Sequence, residues 1–382
     1  MERSLPFSQE HSIFIEAFRK FLTAVIADQY EVWEKNGIVP REVWKKFGEN
    51  GFLVPWAAEK YGGAGADYLY SVIIAEELAR FGAGSVFVPL HNDIVVPYIE
   101  AFGTEEQKQK WLPGCISGDC ITAVAMTEPE AGSDLAAIKT SAVKKGNTWV
   151  MNGQKTFISN GILADLVVVA AKTGGSDTPV HQSVSLFVVE RGAPGFSRGE
   201  PIKKIGLKAQ DTAELFFDDC EIPEGNLLGQ EGLGFIYLMQ KLQPERLLCA
   251  IGSQAAAEKC FEITVEYTRD RKVFGKPLSK FQNTQFELAE MATEIAVGRS
   301  FVDDLIKAHM AGKSVVNETC MAKFWVTEMA KRVADRCLQL FGGYGYCTEY
   351  PVSRFYVDAR VQTIYAGTSE VMKMIVARGL GL

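Results

Sequence analysis

The stretch Ala125-Met126-Thr127-Glu128-Pro129-Glu130-Ala131-Gly132-Ser133-Asp134 follows an apolar run, residues 121–125, and leads into a turn rich in hydroxyl and backbone N–H groups. Exposed N–H groups of this kind can hold a polar ring edge or a phosphate without a charged side chain. A plain β-turn is the alternative interpretation of the same residues. The stretch therefore marks a strand end that is a candidate binding site.

The residues around this turn, 120–231, predict a small antiparallel β domain. They contain short β-branched and aromatic runs separated by Gly, Asn and Asp, which is the pattern of strands joined by tight turns. The runs are residues 121–125, 148–151, 166–171, 184–189 and 215–217.

Both flanking blocks predict helices. Residues 1–119 are divided by prolines, and Thr104-Glu105-Glu106-Gln107 has the pattern of a capping box at a helix start. Residues 232–382 carry apolar stripes at helical spacing. These stripes predict a C-terminal four-helix bundle. The predicted fold is therefore an α+β multidomain protein with domains at 1–119, 120–231 and 232–382.

Composition excludes several classes of protein. A net charge of −7 disfavours nucleic-acid binding, which needs a basic surface. The four histidines and eight cysteines are scattered, so we expect neither a metal site nor a disulfide framework. No apolar run approaches the roughly 20 residues of a membrane span. The first six residues lack a signal-peptide pattern. We expect a soluble cytoplasmic protein, with a processed mitochondrial matrix form as the alternative.

A Rossmann dinucleotide site is also disfavoured. No Gly-x-Gly-x-x-Gly sequence follows a predicted strand and opens a helix, and no Walker-type Gly-Lys-Ser/Thr sequence occurs. Gly62, Gly63 and Gly65 lie in the helical block, where a loop is the simpler interpretation.

Five motifs, in order along nearly the whole chain, resemble those of the acyl-CoA dehydrogenase family. Each motif would be weak evidence alone, but their order and the α–β–α pattern agree. They are the stretch quoted first, Lys155-Thr156-Phe157-Ile158-Ser159-Asn160-Gly161, Arg269-Asp270-Arg271-Lys272-Val273-Phe274-Gly275 with Gln282, Gln339-Leu340-Phe341-Gly342-Gly343-Tyr344-Gly345, and Ile364-Tyr365-Ala366-Gly367-Thr368-Ser369-Glu370.

The resemblance implies that FAD is the cofactor. Its isoalloxazine side would contact Met126, Thr127, Phe157, Ser159, Thr368 and Glu370. Its pyrophosphate would pair with Arg271, whose fork of donors suits phosphate. The adenosine side, in this family across a subunit boundary, would be completed by Phe274, Gln282, Gln339 and Gly343.

The resemblance also implies the substrate and the partners. An acyl-CoA substrate would contact Ser133, Arg246, Tyr365 and Gly367. Electrons would pass to an electron-transfer flavoprotein, and the chain would assemble as a homotetramer, a dimer of dimers. The reaction would belong to the β-oxidation of fatty or other carboxylic acids.

The family's usual catalytic base is missing from its motif. Most members carry a glutamate in Tyr-Glu-Gly-Thr, whereas this chain has Tyr365-Ala366-Gly367-Thr368. The long-chain and isovaleryl-CoA dehydrogenases instead carry the base in a Glu-Arg-Leu pattern, which Glu245-Arg246-Leu247 matches. The resemblance implies that Glu245 takes the α-proton while flavin N5 accepts the β-hydride. The Ala366 N–H, acting with a ribityl hydroxyl, would be the oxyanion donor.

Two details near these residues stay open. Pro244 either kinks a helix or begins one. Asn92 or Asp93 caps the helix that follows, or Asp93 reaches the acyl pocket and takes a proton from a distal carbon of a cyclic or conjugated substrate.

The leading hypothesis is an α,β-desaturating acyl-CoA dehydrogenase. The alternatives are an acyl-CoA oxidase or flavin monooxygenase on the same fold, and a non-catalytic FAD-binding assembly paralogue. Acyl chain length, branching and rings are left open, since one methylene changes binding by only ~1–3 kcal/mol.

Overall fold

The computed structural model describes residues 3–175 and 178–382. Met1 and Glu2, which open the predicted first domain, lie outside the described residues. The order of elements is helices, then a sheet, then helices, as the sequence predicts. The domain boundaries at 119/120 and 231/232 stay predictions.

The first block is helical. The capping box at Thr104 is confirmed: its hydroxyl accepts from the Gln107 N–H, and the Gln107 side chain accepts from the Thr104 N–H. One turn of π-helix, Leu90–Val95, leads directly into the fifth helix. The α-helices are α1 Gln9–Val25, α2 Tyr30–Asn36, α3 Arg41–Glu49, α4 Tyr68–Phe81, α5 Val96–Phe102 and α6 Glu105–Ser117.

The second block forms an eight-stranded sheet with β1 and β2 both beside β4. All five predicted runs are strands, and their alternating apolar residues pack into one core around Trp149 and Phe187. A short helix, α7 Val180–Ser183, precedes β5. The strands are β1 Thr122–Ala125, β2 Ser141–Lys145, β3 Thr148–Ser159, β4 Leu166–Lys172, β5 Val184–Glu190, β6 Phe196–Arg198, β7 Thr212–Pro223 and β8 Leu227–Leu228.

The sheet is mixed rather than wholly antiparallel. The β2–β3, β3–β7, β4–β5, β5–β8 and β6–β7 pairs are antiparallel, as predicted. In contrast, β1 and β2 run parallel to β4. Parallel neighbours need a long connection, and residues 126–165, which include the β2–β3 hairpin, provide it between β1 and β4.

The third block is built on long helices. Pro244 lies inside α8, so this helix does not begin there. The helix α10 ends at Phe341, and Gly342 after it has a φ of 60°. The elements are α8 Gly234–Asp270, β9 Lys272–Val273, β10 Lys276–Pro277, α9 Gln282–Met310, α10 Val316–Phe341, α11 Pro351–Ala359 and α12 Ser369–Gly379.

A buried ion network joins the first block to the third. Arg299 on α9 donates to Glu76 on α4 at 2.6 Å and to Glu258 on α8 at 2.7 Å. Arg3 also pairs with Glu76, and donates to Asp303 on α9 at 2.7 Å. These buried charges stabilise one docking geometry of α4 on the bundle, the geometry on which the cavity described below depends.

We predict that Arg299→Met lowers the free energy of unfolding by about 3–5 kcal/mol, because removing one partner leaves Glu76 and Glu258 buried with less compensation. The measurement is the midpoint of chemical unfolding. Arg332→Met is the matched control: its side chain is 45% exposed against 12% for Arg299. Loss of its pair with Glu294 should cost less than about 1 kcal/mol. Equal midpoints for the two variants would contradict the prediction.

Candidate active site

A cavity of about 210 Å³ lies where the first block contacts α8 and the segment after α11. Most of its lining side chains are small or apolar: Ala75, Leu78, Ala79, Ala83, Gly84, Val86, Phe87, Pro89, Leu90, Ile94, Leu248, Gly252 and Ala366. The lining residues with polar side chains are Ser159, Glu245, Cys249, Ser253, Gln362 and Tyr365. Among these described lining residues, none is a lysine, arginine or histidine.

Glu245 is the carboxylate of this cavity. It lies in the interior of α8 and is only 3% exposed. Its Oε1 accepts a hydrogen bond from the Tyr98 hydroxyl at 2.9 Å. Burial raises the pKa of the Glu245 carboxyl to about 7, against the opposing effects of the Tyr98 hydrogen bond and the Arg246 and Lys241 charges. The group therefore titrates near neutral pH.

Ala366, which lines the same cavity as Glu245, forms a left-handed turn with Gly367. Their φ angles are 51° and 91°. The Ala366 N–H makes no hydrogen bond to another described residue, so a cavity-lining donor is left free for a ligand. A side chain on Gly367 would lie 2.6 Å from the end of Met372, and the positive φ would strain it as well.

The turn in the first motif, residues 125–134, is held to the second motif, residues 155–161, by a buried ion pair. Lys155 Nζ donates to the Met126 carbonyl at 3.0 Å and to Glu128 at 2.8 Å, and the Thr156 N–H donates to the Thr127 carbonyl. Burial lowers the pKa of Lys155 to about 8. For Glu128, burial opposes ionisation, but the Lys155 contact keeps its pKa below the usual value. Both groups are therefore ionised at neutral pH.

A second depression, of about 430 Å³, contains the predicted pyrophosphate residue and two residues of the predicted adenosine side. Arg271, Gln339 and Gly343 line it together, although α9 and most of α10 separate the first from the others in the chain. The Arg271 guanidinium lies 5.4 Å from the centre of the Tyr344 ring. This arrangement presents a cation and a backbone turn to one ligand.

The other predicted FAD contacts lie on the surface of the chain. Phe157 and Phe274 are 65% and 97% exposed, and both have positive φ angles. Gln282 is the exposed first residue of α9, Glu370 is exposed on α12, and Thr368 caps that helix by accepting from the Val371 N–H. These residues do not form an enclosed site within one chain.

Four predicted substrate contacts do not line the cavity: Ser133, Arg246, Asp93 and Gly367, which follows the lining residue Ala366. Ser133 is exposed in the turn after β1. Arg246 is buried beside Glu245, and its Nη1 donates to the Cys320 sulfur at 3.4 Å. Asp93 is buried in the π-helical turn and accepts from the Ser71 hydroxyl at 2.6 Å, and burial raises its pKa to about 7.

Neither residue predicted to cap the helix after Val95 does so. The N-cap of α5 is Val95, with no side-chain hydrogen bond, because the π-helical turn continues directly into α5. The Asn92 amide instead bonds to the backbone of Phe52 and Val54.

No group of three or more His, Cys, Asp or Glu side chains among the described residues could hold a metal ion. Within the same residues, no helix is long and apolar enough to cross a membrane.

Fold and site together define a three-part enzyme in which a buried carboxylate and a residue with a free backbone N–H line the same cavity. Three family models match the chain: the acyl-CoA dehydrogenase N-terminal domain at residues 8–119, the middle domain at 123–220 and the C-terminal domain at 232–381. The chain belongs to the acyl-CoA dehydrogenase family. The predicted family, fold class and enzyme class, FAD-dependent oxidation of acyl-CoA, are confirmed.

Relatives in two branches carry the resemblance over almost the whole chain. The long-chain specific acyl-CoA dehydrogenase of Rattus norvegicus is 47% identical, covering 97% of this chain and 86% of that one. The isovaleryl-CoA dehydrogenase of Pongo abelii is 36% identical, with coverages of 97% and 88%. The crystal structure of an acyl-CoA dehydrogenase from Geobacillus kaustophilus matches with a TM-score of 0.97 and 60% identity, covering 99% of each chain.

Three residues of the site escaped the sequence analysis. Tyr98 is 147 positions from Glu245, and no local pattern connects them. Lys323 lies on α10 beside the apolar stripe but is not part of it, and its ammonium donates to the Gly367 carbonyl. Lys155 belongs to a motif identified in the sequence, but its pairing with Glu128 of the neighbouring motif is known only from the structure.

The Tyr98–Glu245 hydrogen bond generates a prediction for pH dependence. Reduction of bound flavin by substrate should accelerate as pH rises through about 7, because Glu245 loses its proton there. Since the Tyr98 bond lowers the pKa of Glu245, Tyr98→Phe should move this rising limb of the pH–rate profile to higher pH. A hydrogen bond of ~0.5–1.5 kcal/mol would move the limb by up to about one pH unit.

The measurement is the anaerobic reduction rate against pH. Tyr356→Phe, an exposed tyrosine on α11, is the control and should leave the limb in place. An unmoved limb in Tyr98→Phe would show that another group controls this pH dependence.

Proposed function

We propose that Glu245 is the base that removes the α-proton of an acyl-CoA thioester in an α,β-dehydrogenation. The observation that carries the proposal is its placement: a buried carboxylate, with a pKa near 7, lines the same cavity as Ala366, the position where most relatives carry their base. The similarity to a long-chain and an isovaleryl-CoA dehydrogenase supports this assignment, because these enzymes carry the base in the Glu-Arg-Leu pattern.

Burial gives Glu245 the basicity that the reaction needs. The α-proton of a thioester is much less acidic than a carboxylic acid, so a solvated carboxylate would be too weak a base. A base is most effective when its pKa lies near the working pH. Tyr98 fixes the carboxylate through one oxygen and leaves Oε2 to receive the proton.

The Ala366 N–H is the donor that faces the thioester oxygen as negative charge develops there. A donor fixed in advance stabilises such charge without reorganisation. The free N–H at the cavity wall and the left-handed φ of Ala366 support this role. Ala366 thus contributes through its backbone alone, while Glu245 acts from the opposite wall.

The residues present fit FAD in two places. The turn at Met126 and Thr127 offers backbone and hydroxyl groups held rigidly by Lys155, and Ser159 lines the catalytic cavity. Phe157, Thr368 and Glu370 would complete the isoalloxazine side. When bound there, FAD supplies the acceptor for the β-hydride.

Arg271 would hold the pyrophosphate, with Gln339 and Gly343 in the same depression. Phe274 and Gln282 are exposed and do not line that depression on their own chain, which supports the prediction that the adenosine side is completed by another subunit. The almost fully exposed Phe274 is the kind of side chain that an interface covers. We therefore propose a homotetramer, to be tested by light scattering.

For the CoA chain, we propose contacts to Ser133, Tyr365 and Gly367, of which Tyr365 lines the cavity. Arg246 acts from behind Glu245, where its charge lowers the pKa of the carboxyl. Asp93 stays a predicted substrate residue of the acyl end, one residue from the cavity-lining Ile94.

We propose an electron-transfer flavoprotein as the electron acceptor and the cytoplasm as the location. The similarity to dehydrogenases favours this acceptor over the oxidase and monooxygenase alternatives. Oxygen uptake during turnover without a mediator would favour those alternatives instead. An absence of flavin bleaching with every acyl-CoA would favour the assembly paralogue.

The base assignment predicts that Glu245→Gln slows flavin reduction about 10²–10⁴-fold, because an amide cannot accept the proton. The measurement is anaerobic stopped-flow reduction by an acyl-CoA panel at saturating substrate. Glu266→Gln, an exposed glutamate on the same helix, is the matched control and should reduce at the normal rate. Near-normal reduction by Glu245→Gln, with full FAD content, would refute the assignment.

The lining of the cavity predicts a preference for uncharged acyl groups. No basic side chain is among its described lining residues, and an unpaired buried carboxylate costs several kcal/mol. We expect kcat/KM to be at least about 100-fold lower for glutaryl-CoA than for valeryl-CoA, which has the same carbon chain. Comparable values would show that a cation reaches the acyl end.

A further inference from the structure

Lys323 is a buried cation that the reaction described above does not use. It lies on α10 with its side chain wholly inaccessible to solvent. Its Nζ donates to the Gly367 carbonyl at 2.6 Å, and it forms no ion pair with a carboxylate of the described chain. A single backbone carbonyl, in the turn opposite Glu245, is therefore the direct partner of this ammonium.

The packing of the bundle does not require a charged side chain at the position of Lys323. Burial lowers the pKa of Lys323. The groups that face it are Arg246 and Cys249 on α8, Cys320 on its own helix and the exposed Glu370 on α12. One of these carries the same sign of charge. An apolar side chain of similar length would fill the same space without the desolvation cost, so the ammonium acts on the carbonyl.

The Gly367 carbonyl belongs to a backbone turn whose left-handed conformation must be stabilised by its surroundings. Ala366 has a φ of 51°, which a residue with a Cβ adopts only when its surroundings impose it. On one side of the turn, the buried Tyr365 lines the same cavity as Cys249 on α8. On the other side, Thr368 caps α12. Lys323 holds the residue between Ala366 and this cap.

We propose that Lys323 is a positioning residue, which locks the Ala366–Gly367 turn in its left-handed conformation and so keeps the Ala366 N–H directed at the thioester oxygen. The inference rests on the proposed function, in which that N–H is the oxyanion donor. Lys323 itself touches neither substrate nor reacting atoms.

The first test is Lys323→Met, which keeps the length of the side chain and removes the donor. We expect the rate of flavin reduction at saturating acyl-CoA to fall about 10–100-fold, since a displaced donor loses most of its effect. KM should change much less. Lys331→Met, on the same helix, is the matched control and should leave the rate unchanged. Lys323→Arg, which keeps charge and donors, should recover most of the rate.

The second test asks whether the loss arises from the turn. Glycine adopts a φ near +50° without strain, so Ala366→Gly should relieve the need for Lys323. We expect Lys323→Met/Ala366→Gly to come within about threefold of Ala366→Gly alone. A crystal structure of Lys323→Met should show Ala366 outside the left-handed region. If Lys323→Met does not retain FAD, Lys323→Gln is measured instead, both alone and combined with Ala366→Gly, with the same criteria.

Two outcomes would overturn the proposal. One is a reduction rate for Lys323→Met within about threefold of the parent protein. The other is a loss that Ala366→Gly does not relieve, with Ala366 still left-handed in the variant structure. Glu245→Gln is measured beside these variants: if it reduces flavin normally, the proposed function fails, whereas an inactive Glu245→Gln beside an active Lys323→Met overturns the role of Lys323 alone.

Discussion

The removal of one carboxylate from water is the constraint on which the rest of this structure depends. Glu245 is useful as a base because it is buried, and it is buried because helices from both ends of the chain meet around it. Tyr98 comes from the first block and Glu245 from the third. The ion network around Arg299 fixes the same two blocks against each other. Docking of the domains is thus part of setting the basicity of the site.

The opposite wall of the cavity depends on a backbone held in an unfavourable conformation. Ala366 and Phe157 both have positive φ angles, although neither is a glycine. Strain of this kind, of order 1–3 kcal/mol per residue, persists only where the surroundings impose it. Two buried lysines contact the main chain near these residues, since Lys155 donates to the Met126 carbonyl and Lys323 donates to the Gly367 carbonyl. Both lysines are buried and act on the main chain.

The cofactor and substrate regions differ in how much one chain supplies. The catalytic cavity is lined by a single chain, and Glu245 is the only charged side chain among its described lining residues. The predicted adenosine contacts are divided between a depression that contains Arg271 and an exposed surface that contains Phe274. A reaction centre must exclude water, so it requires a rigid enclosure. A long dinucleotide can be bound along a surface that assembly completes.

The order of helices, strands and helices, the family, and the two positions whose combination indicates the branch, Glu245 and Ala366, could all be predicted from the amino-acid sequence. These features are local: periodicity, capping and motifs operate over a few residues. In contrast, the folded structure was needed to establish that Asn92 and Asp93 do not cap a helix, that Pro244 lies within α8, and that β1 runs parallel to β4. It also decided the pairings of Tyr98 with Glu245 and Lys323 with Gly367. Contacts between residues so distant in the chain exist only after the domains dock, because burial and hydrogen-bond geometry depend on all the surrounding elements at once.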